Sequence, residues 1–129
     1  MDKIAFLKEV EMLQSLRHRN IVLYMGVCLD ESGHMMITEY MEKGSLFDLI
    51  HEEESKQQIP MERLIEWIKD ITKAMLFIHS KDILHCDLKS KNILVDEYNN
   101  LKIADFGLSR IRNPLSKPKR TFLITHFFL

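Results

Sequence analysis

The residues with the most chemistry per unit length are His85-Cys86-Asp87-Leu88-Lys89-Ser90-Lys91-Asn92, followed thirteen positions after Asn92 by Asp105-Phe106-Gly107. Two aspartates and an asparagine supply hard oxygen donors of the kind that suit Mg2+. This is the densest signal of its kind in the 129 residues. His18, His34, His51 and His79 have no ligand spacing, and the only two cysteines, Cys28 and Cys86, have no paired spacing for zinc. The eight methionines read as core filler rather than as a cofactor box.

Several elements must hold these residues in place. Residues 2–16 read as an amphipathic helix, with Lys8, Glu11, Gln14 and Ser15 on one arc and Phe6, Met12, Leu13 and Leu16 on another. Glu9 breaks the pattern by falling inside the apolar arc, and a carboxylate facing inward is costly unless a cation meets it. Residues 21–29 and 34–40 read as strands joined by hairpin residues Asp30-Glu31-Ser32-Gly33. A break at Lys43-Gly44-Ser45 precedes a short helix from Leu46 to about His51, and the polar run 52–58 reads as a solvated loop. Pro60 can start a helix over 61–79 that is apolar nearly all round, which implies burial against more than one neighbour. Short strands follow at 83–84, 93–95 and 101–104, with Asn99-Asn100 as the turn between the last two.

Length and composition bound the function classes. At 15.3 kDa the chain allows one compact domain, and 46% hydrophobic with 29% charged residues is a globular rather than a disordered composition. Eighteen basic residues against nineteen acidic ones exclude a polycationic nucleic-acid binder as the default reading. The low cysteine count fits a reducing compartment, and no stretch reaches the ~18 apolar residues of a membrane span. Met1 to Val10 lacks the apolar core of a signal peptide, so a cytoplasmic location is expected.

The segment 85–92 matches the catalytic loop His-Arg-Asp-Leu-x-x-x-Asn of protein kinases except at Cys86, and 105–107 matches the Asp-Phe-Gly motif of that family. Four matched residues in eight arise by chance about once in 10⁵ windows at uniform composition, so the match is specific. The chain therefore resembles the eukaryotic protein kinases, over roughly residues 4–112. The resemblance implies an α+β, protein-kinase-like fold, present in part: helix C, the end of the N-lobe sheet, the hinge and the first half of the C-lobe. It implies ATP and Mg2+ as cofactors, with Asp87 orienting the attacking hydroxyl, Lys89 meeting charge on the transferring phosphoryl group, and Asn92 and Asp105 holding the metal. By the same resemblance Glu9 is the helix-C glutamate that pairs with a phosphate-holding lysine. Thr38 is the gatekeeper, Glu39-Tyr40-Met41 the hinge that meets adenine, and Leu94 the residue beneath the adenine ring. Leu13, Tyr24, His85 and Phe106 match the stacked hydrophobic spine. Lys89 in Asp-Leu-Lys-x-x-Asn resembles serine/threonine kinases. The segments 18–26 and 44–49 look most like the tyrosine-kinase-like group, with its Raf-like and mixed-lineage members.

The sequence also departs from the family. Only eight residues precede Glu9, so neither the Gly-rich loop nor the strand lysine falls within these 129 residues, and no Ala-Pro-Glu follows Asp105. A polypeptide of these residues alone is expected to be a poor folder with exposed strand edges and little or no phosphotransfer. Cys86 stands where the family has an arginine that contacts a phosphorylated activation loop. Either the parent kinase is not controlled that way, or the substitution is tolerated in a chain that does not catalyse. Residues 1–112 are thus read as a partial kinase domain and 113–129 as a basic and apolar tail outside the family pattern. The tail carries Lys117, Lys119 and Arg120, then the aggregation-prone Phe122–Leu129. The expected partner is a protein substrate carrying Ser or Thr, with an intact kinase as a second candidate; neither nucleic acid nor membrane is expected. The competing functions are a non-catalytic kinase remnant acting as an interaction module, and a truncated gene product.

Overall fold

The computed structural model describes residues 3–31, 33–52, 59–107 and 109–111. The expectations for the tail 113–129 and for most of the polar run 52–58 lie outside these residues. Helix α1 (Lys3–Ser15) buries Phe6, Val10 and Leu13, spaced four and three apart on one face, and Leu16 continues that stripe just beyond the helix. Strands β1 (Tyr24–Asp30) and β2 (Gly33–Thr38) pair antiparallel, with Asp30 opposite Gly33 at the tip. Gly33, at φ 151, and an Asp30 Oδ1 that accepts the Gly33 N–H (3.0 Å) close this hairpin.

Helix α2 (Leu46–His51) starts where Ser45 Oγ accepts the Asp48 N–H and donates in turn to Asp48 Oδ2. Helix α3 (Met61–Ser80) begins directly after Pro60, whose missing N–H costs nothing at that position. Strand β3 (Ile83–Leu84) precedes a 3-10 turn at Ser90–Asn92. Strands β4 (Ile93–Val95) and β5 (Leu101–Ile103) then form a tight antiparallel hairpin, and β6 (Arg110–Ile111) pairs back onto β3.

Two clusters make the core. One joins Leu13 and Leu16 to Ile21, Ala74, Ile78, Ile83, Ile103 and Phe106, linking α1, α3 and the strand residues around the Asp105 turn. The other packs Leu46 and Trp67 against Ile93, Val95 and Leu101. Burying each such aliphatic side chain stabilises by roughly 1.5–3 kcal/mol. Polar ties fix the angle of α3 on the β4–β5 hairpin: Trp67 Nε1 donates to the Asn99 carbonyl (2.9 Å), and Asp70 Oδ2 accepts the Leu101 N–H (3.1 Å).

Three expectations need correction. The first strand begins at Tyr24 rather than at residue 21, because Ile21 and Val22 pair with Ile103 of β5 instead. Buried Asn20 helps lock that junction by donating to the Leu101 carbonyl (2.9 Å). Helix α3 buries only one face, through Trp67, Ala74 and Ile78, while Ile65, Ile68 and Leu76 on the other face stay about half exposed or more. No described element packs on that second face, so its apolar character outruns its burial. Residues 110–111 form a strand that the sequence reading did not include, because β3 supplies a partner for them.

Candidate active site

The loop 85–92 leaves β3 through Cys86 at φ 67 and returns through the 3-10 turn into β4, while Asp105 (φ 56) turns the chain after β5. Both non-glycine residues sit in the left-handed region, which costs about 1 kcal/mol and persists only where surroundings hold it. His85 is what holds it. Its ring is fully buried, accepts the Asp87 N–H at Nδ1 (3.2 Å) and meets the Ala104 carbonyl at Nε2 (2.9 Å). With Nδ1 accepting, the proton must sit on Nε2, so this histidine is neutral and of one tautomer. Burial pushes its pKa below the ordinary 6.5, against the pull of the Ala104 carbonyl, Asp105 and Asp87. The Phe106 ring meets it edge-on at 4.9 Å.

The four residues expected to carry the chemistry fall into two linked groups. Asn92 is buried and its Nδ2 donates to both the carbonyl (2.9 Å) and Oδ2 (3.0 Å) of Asp87. Lys89 Nζ stands 3.6 Å from the other oxygen, Oδ1. The Asp87 carboxylate is thereby flanked by an amide on one oxygen and an ammonium on the other. Asp105 lies across the next backbone bond: the Asn92 carbonyl accepts the Ala104 N–H at 2.8 Å, one residue before it. Its carboxylate is exposed and accepts the Gly107 N–H at 3.3 Å.

Glu9 reaches this second group. It is half-buried, as its place in the apolar arc of α1 implied, and a Cβ added at Gly107 would lie 3.6 Å from its Oε2 and 3.3 Å from Asp105 Oδ1. Burial raises its pKa above 4.5 and the Asp105 charge raises it further, with the Phe106 backbone N–H pulling the other way. Among the described residues no cation pairs with it.

The residues expected to form the hinge lie at the end of β2 and just after it. Thr38 is exposed and its Oγ1 donates to the Glu39 carbonyl (3.3 Å), Tyr40 is 80% exposed, and Met41 is buried. The Met41 carbonyl accepts the Gly44 N–H at 3.1 Å. Beyond it, Lys43 and Gly44 exchange backbone bonds with Val95, and Ser45 bridges to Leu94, which places half-buried Leu94 directly against the segment after the hinge. Sequence reasoning missed Lys102, whose Nζ donates to both carboxylate oxygens of Glu39 at 2.7 and 2.9 Å. Its one signal was a charge in the middle of the apolar triplet Leu101-Lys102-Ile103. Leu13, His85 and Phe106 are buried, and Tyr24 packs partly buried against the same cluster as Leu13 and Phe106.

Among the described residues no three His, Cys, Asp or Glu side chains converge on one point. Asp105 and the Asn92 amide oxygen are hard donors carried by segments that the Ala104 N–H bond to the Asn92 carbonyl ties together. That small set fits Mg2+, which keeps several waters and shares its remaining positions with phosphate oxygens.

A family model for protein tyrosine and serine/threonine kinases matches residues 1–121. The chain belongs to the protein kinase family. It is 40% identical over 109 residues to the serine/threonine-protein kinase CTR1 of Arabidopsis thaliana, covering 83% of this chain and 13% of that protein. It is 35% identical over 107 residues to the serine/threonine-protein kinase STY17 of the same plant, covering 83% and 18%. Against the dual specificity protein kinase pyk3 of Dictyostelium discoideum it is 44% identical over 104 residues, covering 81% and 8%. The chain thus spans less than a fifth of the length of these relatives. The partial α+β kinase fold expected from the catalytic-loop and Asp-Phe-Gly motifs agrees with the family match and with the helices and short antiparallel sheets described above. Among the described residues no helix is long and apolar enough to cross a membrane.

Proposed function

We propose that residues 1–112 form the part of a protein serine/threonine kinase that runs from helix C to the metal-binding turn, working with Mg2+ and ATP on a Ser or Thr hydroxyl of a protein substrate in the cytoplasm. The single observation that carries this reading is the hold on Asp87, with Asn92 Nδ2 on one carboxylate oxygen and Lys89 Nζ facing the other. Asp87 orients and accepts the proton of the attacking hydroxyl, and its backbone N–H, fixed by His85, keeps it from swinging away. Lys89 meets the negative charge of the transferring group. Asn92 and Asp105 hold Mg2+, which when bound neutralises phosphate charge. Glu39 and Met41 present backbone groups to the adenine edge: the Met41 N–H has no bonding partner among the described residues, which suits an outside acceptor. Thr38 would close the back of that adenine site and Leu94, bridged to Ser45, would lie beneath the ring, while Glu9 would take the cation that an inward carboxylate requires.

The reading is tested on the protein as it occurs in the cell. Expected is Mg-ATP-dependent phosphorylation of Ser/Thr peptides in preference to Tyr peptides, lost in Asp87→Asn. Transfer that survives Asp87→Asn, or none at all by the unaltered protein, overturns it.

A further inference from the structure

Ion pairs of different reach join the described residues. Arg63–Glu66 and Lys89–Asp87 join residues three and two positions apart, whereas Lys102–Glu39 spans 63 positions. The last is also the most shielded, with side chains 17% and 25% exposed. Its carboxylate is further tied down, since Glu39 Oε1 accepts the Leu23 N–H (2.9 Å) while the Glu39 N–H donates to the Leu23 carbonyl (2.9 Å). Glu39 is therefore gripped at backbone and side chain by two different segments. Lys102 occupies the centre of β5, three residues before Asp105 and directly opposite Leu94 of β4. Its neighbours Leu101 and Ile103 face the core, so the pleat turns Lys102 toward the hinge side.

We propose that Lys102 is a positioning residue for nucleotide recognition: its ammonium clamps Glu39, and so sets the hinge backbone at Glu39–Met41 against the strand that carries Asp105. This rests on the kinase reading, because it supposes that the hinge receives a purine. An apolar side chain at 102 would fill the same space but leave a shielded carboxylate with one backbone donor and freedom to swing. Two charge-assisted bonds into one carboxylate remove that freedom. The chemistry recognised is the edge of an adenine base, which needs a donor and an acceptor at fixed spacing, and small displacements there are costly.

The test is adenosine binding by calorimetry to the protein as it occurs in the cell, at a temperature where far-UV dichroism shows each variant folded. Adenosine has no phosphates, so the readout isolates the hinge. Lys102→Met keeps the aliphatic stem and is expected to weaken binding by about tenfold, equivalent to 1.4 kcal/mol. Lys102→Arg keeps a charged donor pair and is expected to bind within about twofold of wild type, a recovery that loss of packing alone would not show. In parallel, amide exchange at Glu39 should quicken in Lys102→Met and not in Lys102→Arg. If Lys102→Met does not fold, Glu39→Gln decides, since it keeps the side-chain shape and an acceptor for Leu23: weakened binding supports the clamp and wild-type binding overturns it. A folded Lys102→Met chain that binds adenosine as wild type does also overturns it, while leaving the kinase reading standing. Failure of the wild-type chain to bind adenosine removes the hinge reading and the clamp with it.

Discussion

Replacing His85 with phenylalanine separates two jobs that the buried imidazole performs. Phenylalanine fills nearly the same volume and can still meet the Phe106 edge, so little packing is lost. What disappears are the bonds to the Asp87 N–H and the Ala104 carbonyl. A net hydrogen bond contributes about 1 kcal/mol, and a partner left unpaired costs ~1–3 kcal/mol more when water cannot reach it. Asp87 and Ala104 are only half-buried, so water offsets part of that penalty and the expected loss is about 2 kcal/mol in all. For a domain of this size the melting temperature should fall by roughly 8 °C. The pH dependence gives a second signature. The native imidazole has its pKa lowered from 6.5, so below 6.5 the unfolded chain binds a proton that the native chain refuses. Stability is then fully present above pH 6.5 and falls as the pH drops toward the native pKa. His85→Phe removes this contribution, so urea denaturation from pH 7.5 to 5.0 should show a shallower loss in the variant than in wild type. A variant within about 0.5 kcal/mol of wild type at pH 7.5, with an unchanged pH slope, would falsify the role given to His85.

Two further outcomes follow from the second carboxylate group. Glu9 has its pKa raised above 4.5 by burial and by Asp105, so its favourable contribution is complete below pH 4.5 and is lost as the pH rises through the native value. Glu9→Gln should therefore raise the melting temperature of the 129-residue chain at pH 7, and a lowered one would show that a cation already compensates Glu9. At Gly107 an added methyl would meet Asp105 Oδ1 at 3.3 Å and Glu9 Oε2 at 3.6 Å, both flexible side-chain ends. Gly107→Ala should then fold normally but weaken Mg2+-dependent ADP binding by about tenfold as Asp105 shifts; unchanged binding in a titration with and without EDTA would refute the crowding.

The local parts of this protein were legible because they depend on short-range physics. The 3.6 periodicity marked α1, apolar runs marked α3 and the β1–β2 hairpin, and the break at Lys43-Gly44-Ser45 and Pro60 marked two helix starts. The spacing from His85 to Asn92 and on to Asp105-Phe106-Gly107 pointed to the family without any coordinates. Even the odd position of Glu9 was visible as a charge in an apolar arc. Other features depended on which distant segments meet. Ile21 left its expected strand because β5 offered it a closer partner, and Arg110–Ile111 became a strand only because β3 lay beside it. The apolar back of α3 stays exposed because burial needs a neighbour as well as a pattern. The tautomer of His85 was set by a backbone carbonyl 19 residues away, and the Lys102–Glu39 clamp by a contact across 63. Sequence by itself determined which residues could do chemistry, since side-chain type and local spacing are written in it; tertiary structure decided which charges, amides and carbonyls face one another, because hydrogen bonds and ion pairs act over a few ångströms of space rather than along the chain.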